Sequence, residues 1–155
     1  MEKNLTILVA SMSGTAEAVA EEVAALLQDQ GWRSAIRLMD EISLDALRPG
    51  LYLICSSTYG TGEIPDNGRN LFDALETQRP DLSGLRYGVI GLGDSVYPQT
   101  FCFGGKRFDE LWGALGAERI GERLDHDRRS PLHPDEAALA WAEVWVRQID
   151  ALEAA

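Results

Sequence analysis

Cysteine is scarce and unpatterned in this chain. Cys55 and Cys102 stand far apart with no Cys-x-x-Cys pair, which excludes a disulfide framework and a thiolate zinc site. No apolar run approaches the roughly 18 residues of a membrane span, and no secretory leader pattern precedes the first apolar segment. The expectation is a cytoplasmic protein without membrane contact. Basic residues are also few, with 14 Lys and Arg against 25 Asp and Glu and a formal net charge of −11. That balance excludes nonspecific binding to nucleic acid and favours partners with basic docking faces. No repeat, low-complexity tract or Pro/Ser-rich linker divides the 155 residues, so 1–155 reads as a single domain.

What the chain does contain is a series of apolar runs, each ending in an unusual loop. Leu5 to Ala10 has no polar alternation and suits a central parallel strand buried on both faces. From Thr15 the alanines and glutamates favour helix, with Val19, Val23, Leu26 and Leu27 on one stripe. Ser34 to Met39 predicts an edge strand, and Asp40 to Leu47 an irregular connection. Leu51 to Ser56 is a buried third strand, Asn67 to Glu76 a helix, and Tyr87 to Leu92 a fourth strand. Phe108, Leu111, Trp112 and Leu115 mark a further helix. Arg119 to Gly121 predicts a brief fifth strand before the polar stretch Glu122 to Asp127. Pro134 opens a last helix whose stripe is Ala138, Trp141, Trp145, Ile149 and Leu152. This alternation predicts a three-layer α/β/α sandwich on a five-stranded parallel sheet, with ligands beyond the carboxyl ends of the strands.

The three loops at those ends carry the chemistry. In Ser11-Met12-Ser13-Gly14-Thr15 a strand feeds directly into a helix. The first-turn N–H groups and the helix dipole attract an anion, and the hydroxyls add donors. The loop has no lysine and no Gly-x-x-x-x-Gly-Lys-Ser/Thr pattern, so a monophosphate fits better than a nucleoside triphosphate with magnesium. Ser13 as a simple helix cap explains the same residues equally well, and this loop alone leaves both readings open. The second loop, Ser56 to Asn67, and the third, Gly93 to Gly105, each display one tyrosine, Tyr59 and Tyr97. Two stacking rings, amides freed by glycine and a phosphate anchor describe a site for a flat aromatic ring tethered to a phosphate, the shape of flavin mononucleotide (FMN).

Other motifs reduce to simpler readings. Cys102 has no histidine near it in sequence to activate it as a nucleophile, and it reads as a main-chain contributor. Gly91-Leu92-Gly93 fails as a dinucleotide fingerprint at Val96, and Gly104-Gly105-Lys106 lacks the other Walker positions. Asp125-His126-Asp127 suits a solvated acidic turn better than a metal site. No catalytic residue and no metal ligand is assigned.

Ser11-Met12-Ser13-Gly14-Thr15-Ala16-Glu17, Ser57-Thr58-Tyr59-Gly60-Thr61-Gly62 with Asp66-Asn67, and Gly91-Leu92-Gly93-Asp94-Ser95-Val96-Tyr97 together resemble the flavodoxin family across nearly the whole chain. Thr100-Phe101-Cys102 before Gly104-Gly105-Lys106 looks most like its MioC-type short-chain branch, and FMN domains of diflavin reductases are also similar. The resemblance implies a flavodoxin-like sheet of order 2-1-3-4-5, with FMN as cofactor. It implies that Ser11, Met12, Ser13, Gly14, Thr15 and Ala16 surround the phosphate, with Ala16 acting through its amide. Ser57, Thr58, Tyr59, Gly60, Thr61 and Gly62 would form one wall, with the Gly60–Thr61 carbonyl turning toward flavin N5. Leu92, Gly93, Asp94, Tyr97, Phe101 and Cys102 would form the other, with the Asp94 and Cys102 amides at the pyrimidine edge. The chain departs from the usual pattern at Ala16, where threonine is common, and by one extra residue between Tyr97 and Cys102.

The implied role is a monomeric electron carrier. It would take single electrons from an NAD(P)H-dependent flavodoxin reductase and pass them to acceptor enzymes through an acidic face. An FMN-dependent NAD(P)H:quinone or azo reductase on the same fold is the alternative, and reductase activity of its own stays open. A response-regulator domain wants an acidic pair after the first strand and a lysine after the fifth, which Ser11-Met12-Ser13 and Gly121-Glu122 do not supply. Glu63, Asp66, Asp94, Asp125 and Asp127 are expected to disfavour negative charge on a reduced flavin and lower its potential. One charge about 10 Å away contributes roughly 0.4 kcal/mol in water and about 1.7 kcal/mol at an effective dielectric of ~20.

Overall fold

The computed structural model describes residues 3–11, 14–58 and 62–154. In chain order the elements are β1 (Asn4–Ala10), α1 (Thr15–Asp29), β2 (Arg33–Leu38), two short 3-10 turns, β3 (Gly50–Ser56) and α2 (Asp66–Gln78). They continue with β4 (Leu85–Gly93), α3 (Phe103–Ala114), β5 (Glu118–Arg119), β6 (Leu124–Asp127) and α4 (Pro134–Ala154). The 3-10 turns, Met39–Glu41 and Leu44–Ala46, occupy the stretch that lacks a helical stripe.

All pairings among these strands are parallel, in the order β2-β1-β3-β4-β5, with β6 also on β4. The unbroken apolar runs follow from helices covering both faces. Leu5, Ile7 and Val9 of β1 join Leu53, Cys55, Ile90 and Leu92 under α1 and α4. Leu8, Ala10, Tyr52, Ile54, Tyr87 and Val89 pack on the other face against α2 and α3. The predicted stripes are buried at Val19, Val23 and Leu27 of α1 and at Ala138, Trp145 and Ile149 of α4, whereas Leu152 is 43% exposed.

The fifth place in the sheet differs from expectation. It is shared by two segments: Arg86 and Tyr87 pair with β5, and Ile90 to Gly93 pair with β6. The polar run Leu124-Asp125-His126-Asp127 is therefore strand, not a solvated turn, and alternation puts His126 inward while Asp125 is exposed. His126 is buried, with Nε2 2.8 Å from the Leu132 carbonyl oxygen.

Side chains close the gap between the two segments. Trp145 Nε1 donates to the Ile120 carbonyl at 3.1 Å and Trp141 Nε1 to that of Glu122 at 2.8 Å. These bonds satisfy carbonyls that a continuous ladder would have used. On the opposite side of the break, Asp109 of α3 accepts from Arg119, from Arg123 Nη1 at 2.8 Å and from the Tyr87 hydroxyl at 2.7 Å.

Candidate functional site

At the end of β1, the Ser11 N–H donates to Asn67 Oδ1 at 2.8 Å, and Asn67 Nδ2 donates to the Val9 carbonyl at 3.2 Å. One asparagine on α2 thus clamps the turn where the first loop begins. The Gly14 N–H donates to Ser11 Oγ at 3.0 Å, which curls the chain into α1. Gly14 occupies the N-cap at φ +84°, a conformation that favours glycine. A Cβ there would meet nothing within 4 Å, so the space over the first turn of α1 is open among the described residues. Ala16 turns its methyl into the core, and its carbonyl accepts from the Cys55 thiol at 3.3 Å. Only its main chain faces the anion position. Met12 and Ser13 lie outside the described residues.

The second loop locks to both neighbours. The Ser57 N–H donates to the Ala10 carbonyl at 2.9 Å, tying it to the first. Thr58 Oγ1 accepts from the Gly104 N–H at 3.0 Å, tying it to the head of α3. A Cβ on Gly104 would lie 2.0 Å from the Ser57 carbonyl oxygen, so only glycine permits this approach. Buried Gly62 packs on Thr100 and Phe103. Tyr59, Gly60 and Thr61, assigned to one wall of the site, lie outside the described residues.

The third loop exposes what the sequence assigned to the flavin's outer side. Tyr97 is 56% exposed beside Val96, and the Tyr97 N–H donates to the Asp94 carbonyl at 3.1 Å. Leu92 points the other way, into the core under α1 and α4, so only its main chain remains at the site. Phe101 is half-buried. Cys102 is fully buried at φ +55°, with Sγ 3.7 Å from the Gly91 and 3.5 Å from the His126 carbonyl oxygens. Burial, reinforced by the Asp125 charge, pushes its thiol up to about 12. The thiol therefore stays protonated near neutral pH.

The carboxylates expected to surround the site do not act as bare charges. Asp125 is held by Arg123 through Nε at 2.8 Å and Nη2 at 3.1 Å. Asp94 accepts from Arg129 Nε at 2.8 Å and from the Val96 N–H at 3.0 Å. Asp127 accepts from the Ser95 N–H at 3.0 Å and the Arg129 N–H at 2.9 Å. Their combined field is thus weaker than five unpaired charges would give. Arg123 and Arg129 are partners that the sequence reading missed, since ion pairs between loops leave no periodic signal. Asn67 was visible within a motif, but its clamping role was not.

Hydrogen bonds from Arg129 and Val96 hold the Asp94 carboxyl below 3.8, and those from Ser95 and Arg129 do the same for Asp127. A depressed folded value means that the stabilisation is present above the unfolded value and is lost as pH falls through the folded one. The Asp94–Tyr97 turn is therefore expected to keep its amide chemical shifts through mildly acidic pH and to loosen only in stronger acid, below the ordinary carboxylate range, read by NMR titration. A transition near pH 6 would contradict these pairings.

The fold is that of a doubly wound α/β protein with three loops at the carboxyl ends of β1, β3 and β4, beside the point between β1 and β3 where the strand order reverses. A family model described as Flavodoxin matches residues 7–141. Flavodoxin YqcA of Pectobacterium carotovorum subsp. carotovorum is 37% identical over 148 residues, covering 94% of this chain and 96% of the relative. Protein MioC of Escherichia coli K12 is 36% identical over 148 residues, covering 92% and 96%. A solved variant of a flavodoxin from Pseudomonas aeruginosa superposes with a TM-score of 0.84 at 37% identity, covering 95% of this chain and 99% of that one. The chain belongs to the flavodoxin family. Its cofactor is accordingly FMN and its function electron transfer, as the three loop motifs imply.

Proposed function

We propose that this chain is a dedicated one-electron carrier, loaded by an NAD(P)H-dependent reductase and discharged by acceptor enzymes, with no substrate pocket of its own. The observation that carries this reading is how the titratable groups beside the loops are employed. Cys102 is buried and protonated, Asp94 is paired with Arg129, and Asp127 is spent on main-chain N–H groups. Among the described residues of the third loop, no acid–base pair stands ready for a substrate.

Bound FMN supplies the redox chemistry. The residues supply binding and orientation. Ser11, Gly14 and Thr15, with Ser13 and the Ala16 amide, would hold the phosphate at the head of α1, where the open space over Gly14 fits such a group. Tyr59 and Tyr97 would flank the ring, Ser57, Thr58, Gly60, Thr61 and Gly62 would shape one edge, and the Asp94 and Cys102 amides would address the other. A net charge of −11 favours reductase and acceptor faces that are basic, and encounter rates that fall with ionic strength. No described helix is long and apolar enough to cross a membrane. The working form on this reading is a cytoplasmic monomer.

The test is steady-state NADPH oxidation. The FMN-loaded protein alone is expected to show none with a quinone or azo dye. Adding a flavodoxin reductase should let it pass electrons to cytochrome c in a salt-sensitive manner. Sustained NADPH turnover by the protein alone would favour the reductase alternative.

A further inference from the structure

The turn that carries Tyr97 owes its shape to residues some thirty positions further along the chain. Gly93 accepts from the Arg128 N–H at 2.8 Å, and Asp127 Oδ1 receives both the Ser95 and the Arg129 N–H groups. The Arg129 side chain then crosses back so that its Nε meets Asp94 Oδ1 at 2.8 Å, the same oxygen that receives the Val96 N–H at 3.0 Å. Asp94 in turn accepts the Tyr97 N–H at its carbonyl, 3.1 Å away. Tyr97 itself is 56% exposed, so burial does little to fix its turn.

We propose that Arg129 is a positioning residue for Tyr97: its guanidinium, seated on Asp94, braces the Asp94–Tyr97 turn in the conformation that receives the flavin ring. This rests on Tyr97 being a wall of the FMN site. A planar donor suits the task because it fixes the carboxylate's orientation as well as its charge. The Arg129 side chain is 60% exposed while that of Asp94 is 19% exposed, so the arginine reaches from solvent over a partly sheltered acid. The same contact holds the Asp94 carboxyl below its ordinary value.

The test is a double-mutant cycle with FMN as the probe, followed by flavin fluorescence quenching, together with hydrogen exchange on the FMN-free protein. Arg129→Gln should speed exchange of the Val96 and Tyr97 amides several-fold without FMN and raise the FMN Kd by about tenfold. Arg129→Lys should recover only part of both. In a Tyr97→Ala background, Arg129→Gln should cost little further affinity, because the tyrosine it positions is gone. Equal losses in both backgrounds would mean a general structural role and overturn the proposal, as would unchanged Kd in the single variant. A wild-type protein that ignores FMN would refute the flavin site itself; the exchange rates would then decide the brace, with unchanged exchange in Arg129→Gln overturning it.

Discussion

Gly104→Ala is expected to cost about 3 kcal/mol of folding stability, near the top of the usual overpacking range. A methyl at that position would sit 2.0 Å from the Ser57 carbonyl oxygen, and the obstacle is main chain rather than the end of a flexible side chain. Relief requires the head of α3 to move away from the loop after β3. That movement breaks the Gly104 N–H bond to Thr58 Oγ1 and carries Cys102 with it. Both walls of the proposed FMN site would shift, so the loss of FMN affinity should exceed the loss expected from stability alone. Urea unfolding measures the first, and a fall in Tm of roughly 6–12 °C should accompany it in a chain of this size. Stability and FMN affinity equal to wild type would show that the close approach does not exist.

Asp109→Ala should cost a similar amount, about 3 kcal/mol. Asp109 is buried and receives Arg119, Arg123 and the Tyr87 hydroxyl, which together span the break between β5 and β6. Its removal leaves two guanidinium groups facing each other without their shared carboxylate. The cost falls at the lower end for a broken buried pair because the Arg119 side chain is 38% exposed. Asp109→Asn keeps an acceptor and should cost clearly less. Chemical denaturation of both variants checks the order, and equal stability of Asp109→Ala and wild type would contradict the network's importance.

The parts of this molecule legible in the sequence are those where one rule dominated. Central strands buried on both faces read as near-continuous apolar runs, and Ile7 to Ala10 of β1, Tyr52 to Cys55 of β3 and Tyr87 to Leu92 of β4 are such runs. Helix stripes repeat at 3.6 residues, and Phe108, Leu111, Trp112 and Leu115 all lie buried. The illegible parts depended on several rules at once. β6 reads Leu-Asp-His-Asp because its inward histidine finds the Leu132 carbonyl and its exposed Asp125 finds Arg123; without those partners the segment looks like a polar turn. Leu92 was assigned to the site from its motif, but strand alternation sends its side chain into the core. The loops were recognisable by composition, whereas what holds them was not. Asn67 on Ser11, Gly104 on Ser57, and Arg129 on Asp94 join positions separated by long stretches of chain.

The loop from Ser11 to Ala16, on the proposed function, anchors the phosphate of FMN without lysine or metal. The most direct measurement is a parallel titration of the flavin-free protein with FMN and with riboflavin, which lacks that phosphate. Two or more charge-assisted hydrogen bonds to the phosphate, at roughly 1.5 kcal/mol or more each, correspond to a discrimination of at least about 100-fold. One FMN per chain, flavin absorbance bands on the complex and riboflavin binding weaker by that factor are expected. Equal affinity for the two flavins, or a colourless protein that ignores FMN, would contradict that anchoring.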